Sequence, residues 1–291
     1  MRITTPSCGI PVSRELTNYP MQNVTLADGT VIRPLATHEE RAEAVRLQED
    51  TWGAGFSEKV PAAILLVAEK TDGVAAGAFT PHGRMVGFVF GLTGLRAGVL
   101  IHWSDILAVR AEAQGRRLGE AMKRYQRERC TAIGVERMYW TFDPFVARNA
   151  HLNLNVLGAS VDEFVPDMYG TATGSVLHGA LGTDRFVALW ALTRAPDPLP
   201  ADPALLLNAA VVGGAPAEAP GPGDPLSNEP RVVVRIPDDY ATLLAGDPAV
   251  ARAWRASARR AFMHYLHGGY RVSAFVRGGG SDAAYLLSAP R

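Results

Sequence analysis

A chain of 291 residues with 47% apolar composition has material for one large core, or for a domain with an appendage. Its 29 basic and 29 acidic residues cancel, which excludes a strong overall field drawing it to nucleic acid or an anionic membrane. The two cysteines, Cys8 and Cys130, form no CxxC pair and no His/Cys set with zinc spacing, so no metal is expected, and reduced thiols fit better than one distant disulfide. Neither a signal-peptide core nor an apolar run of membrane-spanning length is visible, and the expectation is a cytoplasmic chain.

Residues 1–23 are polar and turn-rich and read as an arm. Residues 29–36 then read as a strand, and Thr37 with Glu40 three positions later marks a capped helix running toward Trp52. Ser57 is placed to cap a second helix, which Asp72-Gly73 ends. Pro81-His82-Gly83 joins two strands as a hairpin, and residues 99–109 form the next strand. Leu118, Ala121, Met122 and Tyr125 recur at helical spacing, with the charged run 123–129 read as the solvated side. A strand over 137–142 stops at Asp143-Pro144. A short helix closed by Gly158 and two further strands complete a main domain over 24–194.

From 195 to 228 proline, glycine and alanine dominate, as in a linker or a long wrapping connection. Residues 229–291 read as a compact β-α-β-β unit. Asp247 caps its helix with Pro248 in the first position, and Val250, Trp254, Ala261, Phe262 and Tyr265 form the apolar face. So few residues make a thin core, so the unit is expected to pack on the main domain or on a partner subunit, the latter giving a homodimer.

The stretch Leu107 to Tyr125, LAVRAEAQGRRLGEAMKRY, hands a strand over to a helix through Gln114, Gly115, Arg116, Arg117, Leu118 and Gly119. Glycines at such a turn let backbone N–H groups converge on an anion, and the helix start adds the positive end of its dipole. A tight turn with solvated arginines accounts for the same residues. The G-x-G-x-x-G dinucleotide pattern and the lysine-ended nucleotide loop are both absent.

This stretch resembles the central motif of the GNAT superfamily of acetyl-CoA-dependent N-acetyltransferases, with Gln114, Gly115, Leu118 and Gly119 matching and Arg117 standing where the family's middle glycine is usual. The element order over residues 24–193 agrees with that family. Residues 139–159 look like a bacterial branch with a C-terminal extension. The resemblance implies an α/β (α+β) fold: a mixed, mostly antiparallel central sheet flanked by helices. It implies acetyl-CoA as co-substrate, with the backbone of Leu107, Ala108 and Val109 pairing with the pantetheine arm. By the same resemblance, backbone amides from Gln114 to Gly119 are expected to hold the pyrophosphate, and Asn149 is a further cofactor-side candidate.

Direct acyl transfer needs a base for the amine and a proton for the leaving thiolate. Many GNAT enzymes supply that proton from a tyrosine in the helix before the glycine turn. Counting back from Gly158, the position here is Leu154, and Tyr169 is a replacement candidate whose other reading is simple packing. Some relatives of the family use a carboxylate near this level of the strand, and Asp105, which alternation puts on one face with Trp103 and Leu107, is the best match for the base, although a lone strand aspartate also serves structure. His151 is a weaker candidate, and Cys130 reads as a packing residue. The expected reaction is acetyl transfer to a small-molecule amine or amino acid, with no nucleic-acid or membrane partner. The alternative is a CoA-binding sensor or interaction protein without catalysis.

Overall fold

The computed structural model describes residues 22–170, 173–175, 182–277 and 282–290. Cys8, most of the 1–23 arm and the tip of the last hairpin lie outside the described residues.

The main sheet has eight strands: β1 (Val24–Thr25), β2 (Val31–Pro34), β3 (Val74–Phe79), β4 (Met85–Arg96), β5 (Val99–Val109), β6 (Arg137–Phe142), β7 (Ser160–Val165) and β8 (Arg185–Ala191). They lie in the order β1-β2-β3-β4-β5-β6-β8-β7. Every neighbouring pair is antiparallel except β5 with β6. Helices α1 (His38–Trp52) and α2 (Ala62–Lys70) cover one face through Ala44, Leu47 and Leu65 against Phe88, Phe90, Ile106 and Ala108. Helix α3 (Leu118–Ala132) and α4, which runs from Ala147 to Ala150 and continues as a π-turn over His151–Val156, cover the other. The element order and the mixed, mostly antiparallel sheet are those the GNAT resemblance implies.

Thr37 caps α1, its hydroxyl accepting the Glu40 N–H at 3.2 Å. Ser57 caps nothing: α2 begins only after Pro61, because a residue before proline is driven out of helical geometry. Ser57 instead donates its N–H to the Thr173 carbonyl at 2.9 Å, joining the α1–α2 loop to the β7–β8 loop. The charged run on α3 is also not wholly solvated. Lys123 is 4% exposed and Gln126 is fully buried, both facing the sheet.

A second sheet, ordered β11-β12-β10-β9, holds β9 (Ala210–Gly213), β10 (Arg231–Pro237), β11 (Arg271–Arg277) and β12 (Asp282–Ser288). Strand β9 comes from the proline-rich segment, which wraps the sheet: Leu205, Leu206 and Ala209 cover Val233, Ala274, Ala284 and Leu286. Between β10 and β11 run α5 (Tyr240–Gly246) and α6 (Pro248–His267), the latter capped by Asp247, which accepts the Ala249 and Val250 N–H groups. The inward stripe of α6 is Ala251, Arg255, Ala258, Ala261, Phe262 and Tyr265. Val250, expected on the apolar face, is exposed. Phe262 meets Phe164, Phe186 and Tyr285 at 4.7–5.5 Å between ring centroids, so one continuous core joins the second sheet to the main one.

Candidate active site

Strand β5 pairs with β6 only from Ile101↔Arg137 to Trp103↔Tyr139. Beyond that the two part, while β5 stays paired with β4 out to Gly87↔Val109. The edge of residues 104–109 that faces β6, which includes Leu107, Ala108 and Val109, therefore offers backbone groups to an extended ligand. The wedge opens toward the start of α3.

At that start Gly115 has φ 80° and its missing side chain would point into open space, so the backbone is accessible and only glycine suits it. Arg117 has φ 58° and ψ 18°, left-handed geometry that favours glycine. The turn thus keeps the backbone of a glycine position with arginine in it. No side chain caps α3, which leaves its first N–H groups for an anion. Gly119 sits in the first turn, 3.5 Å by its would-be Cβ from Leu107.

The two arginines behave differently. Arg117 folds back on Glu120 in a two-pronged ion pair at 2.8 and 3.0 Å, sharing that carboxylate with Arg124 at 2.9 Å. Arg116 is exposed beside the turn. Gln114 donates to the Val109 carbonyl at 3.2 Å and accepts from Arg148 at 2.9 Å. Arg148, absent from the sequence reading, brings a third cation to the turn from α4. Asn149, next to it, is half-buried, with its backbone N–H donating to the Val146 carbonyl.

On the other face the strand alternation breaks. Phe90 pairs with Ile106 but Gly91 with Ser104, so Asp105 is the extra residue of a β-bulge. Before the bulge His102 and Ser104 face α3; after it Leu107 packs with the α3 cluster and Ile106 with the α1–α2 cluster. Leu107 therefore does not share a face with Trp103, as simple alternation predicts. The bulge turns Asp105 toward the α1–α2 loop. There its carboxyl lies above the usual carboxylate range, first because the surrounding walls strip it of water and second because Glu58 is near. Its side chain still reaches solvent.

Tyr169 lies within electrostatic reach of Asp105 and Glu58. Its hydroxyl lies 3.0 Å from that of Thr141 on β6. Its acidity is weakened, by poor hydration first and by the Asp105 and Glu58 charges further, against the Thr141 hydrogen bond and Arg185. The two catalytic candidates, far apart in sequence, thus lie within electrostatic reach of each other. Arg185 stands over the Tyr169 ring at 5.6 Å. His151 instead makes a local contact with Asn155 at 3.1 Å on the exposed side of α4. Leu154, at the position of the family's tyrosine, is fully buried, and Cys130 is buried with its thiol raised to about 12 by desolvation.

The exit of β6 and the β7–β8 loop are braced from the C-terminal unit. Arg255 of α6 pairs with Asp143 at 2.8 Å, and Asp143 also accepts the Phe145 N–H at 2.8 Å, holding the exit of β6. Arg259 makes a two-pronged pair with Asp167 at 2.9 Å and reaches Asp184 at 2.6 Å, gripping both ends of the β7–β8 loop. Tyr285 donates to the Pro144 carbonyl at 2.7 Å.

No protein-family model matches the chain, and no curated protein matches it in sequence. Solved structures similar in fold include a GNAT-superfamily phosphinothricin acetyltransferase from Sinorhizobium meliloti in complex with acetyl-CoA. It shares 15% identity over 58% of this chain and 93% of that one, at a TM-score of 0.45. A ribosomal-protein alanine N-acetyltransferase from Escherichia coli shares 17% identity over 59% and 99%, at 0.43. An aminoglycoside 6'-N-acetyltransferase complexed with coenzyme A shares 12% over 57% and 99%, at 0.42.

Proposed function

We propose that the chain is an acetyl-CoA-dependent N-acetyltransferase acting on a small amine by direct attack. The observation that carries this reading is the wedge between β5 and β6, which ends at an uncapped helix start with two left-handed turn residues. A linear cofactor with a diphosphate at one end fits such a slot. The diphosphate takes the N–H groups from Gln114 to Gly119, with Arg116 and Arg148 beside it, and Arg117 fixes the turn through Glu120. The arm pairs with Leu107, Ala108 and Val109 and runs down to where the strands meet, passing Asn149. The acceptor amine enters on the opposite face, where Asp105 takes its proton and Tyr169, held by Thr141, lines its path. A carboxylate with a raised pKa suits a base working near neutral pH.

The test is thermal. Acetyl-CoA at about 100 times its dissociation constant stabilises a one-site protein by about 2.7 kcal/mol. Acetyl-CoA should therefore raise Tm by several degrees, and NADH and ATP should do so much less. Equal shifts from all three, or none from acetyl-CoA, reject the reading.

A further inference from the structure

Acyl transfer leaves a thiolate that needs a proton, and the family's tyrosine position holds buried Leu154. Tyr169 lies with Asp105 on the acceptor face. The closed end of the wedge on the α3 side holds a different group. Ser104 and Trp140 are the first residues of β5 and β6 beyond the last paired residues, Trp103 and Tyr139. Lys123 reaches between them from α3. Its Nζ donates to the Ser104 hydroxyl at 2.7 Å and lies 4.0 Å from the centroid of the Trp140 ring. No carboxylate pairs with it among the described residues. The Trp140 Nε1–H beside it is buried and finds no acceptor among the described residues.

A buried ammonium held by one hydroxyl and an aromatic face is a costly arrangement, since desolvation of a charge is repaid only by full pairing. A leucine or methionine would fill this inward position of α3 at no such cost. The groups around Lys123 explain the ammonium no better. The titratable neighbours are His102 from β5 and Cys130 from its own helix; β6 offers the Trp140 ring, and β4 offers Thr93, whose hydroxyl donates to the Asp72 carbonyl and lies 3.0 Å from the His102 ring. His102 is itself held near 3 by desolvation and by the Lys123 charge, so it stays neutral.

We propose that Lys123 is the proton donor to the departing thiolate, an inference that rests on the acetyltransferase reading above. The amine lone pair attacks the thioester carbonyl carbon, a C–N bond forms, and the C–S bond breaks with its electron pair on sulphur. The Lys123 ammonium gives one proton to that sulphur, leaving free thiol and a neutral lysine. The proton lost by the amine goes to the Asp105 carboxylate. Both groups are restored from solvent once the products have left. Desolvation lowers the lysine to about 7, below an ordinary thiol, so transfer to a thiolate runs downhill.

The experiment uses the full chain, acetyl-CoA, and hydroxylamine as a small neutral nucleophile, with thiol release as the readout from about pH 5 to about pH 10. In the unmutated protein kcat should fall as pH rises through about 7, because only the ammonium is an acid. Lys123→Met should lower kcat by about 100-fold or more and abolish that alkaline limb. Acetyl-CoA affinity by calorimetry should stay within about threefold, since the diphosphate contacts are untouched. Its Tm should not fall, because an apolar chain replaces a buried charge. Ser104→Ala, which keeps the ammonium but frees it, should fall between the two. Full turnover in folded Lys123→Met overturns the inference, as does loss of the alkaline limb in Tyr169→Phe instead. Acetylation of Lys123 itself, seen by mass spectrometry, would make it an acceptor and also refute it. If the unmutated protein binds no acetyl-CoA, or binds it and releases no thiol, the acetyltransferase reading and this inference fail together; thiol release that persists undiminished in folded Lys123→Met sinks the inference alone.

Discussion

Replacing Phe262 by alanine tests whether the two sheets form one folding unit. The ring is 1% exposed and is wedged among Phe164 and Phe186 of the main sheet and Tyr285 of the second. Removing a fully buried phenylalanine costs about 3–5 kcal/mol, since the cavity cannot close around a rigid set of neighbours. At about 2–4 °C per kcal/mol for a chain near this size, Tm should drop by roughly 6–20 °C. Differential scanning calorimetry should show one transition before and after the change, because rings of both sheets lose the same partner. Two separated transitions, with only one of them moved, would mean that the C-terminal unit melts alone and that the shared core contributes nothing to cooperativity.

Asp105→Asn should lower kcat by about 100-fold or more and remove the acid limb of its pH profile, which lies above the ordinary carboxylate range. The same change should stabilise the fold near pH 7. A raised carboxyl contributes stability below its unfolded pKa of about 3.9 and loses it as pH rises through the folded value, a loss asparagine does not suffer. Urea titration of both proteins at acid and neutral pH checks the sign. Gly115→Ala forces a β-carbon onto a backbone at φ 80° and should cost about 1–2 kcal/mol of stability together with acetyl-CoA affinity. Arg117→Gly relaxes a left-handed residue and should leave affinity intact or raise it; calorimetric titration of both variants reads the contrast.

The strands over 99–109 and 137–142 were legible because alternation and stop signals are local: Asp143-Pro144 ends one of them whatever surrounds it. The glycine turn was legible for the same reason. The bulge at Asp105 was not. It depends on Gly91 in the neighbouring strand, where any side chain would collide with His102 and the Trp103 carbonyl. Lys123 was misplaced because its charge hid its position. It stands with Gln126 and Cys130 at i, i+3 and i+7, an inward stripe by geometry, but two of the three residues are polar. Arg148 could have been found from its place one residue before Asn149 on the helix facing the turn. Arg255 and Arg259 carried no sequence signal at all. On α6 they interrupt an apolar face, and their carboxylate partners are fixed only when the whole chain has folded.

The arginine clasps also set a timetable for synthesis. Asp143 waits for a partner 112 residues later, Asp167 for one 92 residues later, and the Pro144 carbonyl for a tyrosine 141 residues later. A ribosome adding about 5–20 residues per second needs about 7–28 s to cover that last interval of 141 residues. Within it, from the addition of Phe186 until that of Arg259 and Phe262, the nascent main sheet holds Phe164 and Phe186 uncovered and the β7–β8 loop ungripped. The apolar flank of β7 and β8 is then a surface that chaperones can hold, and the braced β6 exit belongs only to chains in which β12 has already emerged.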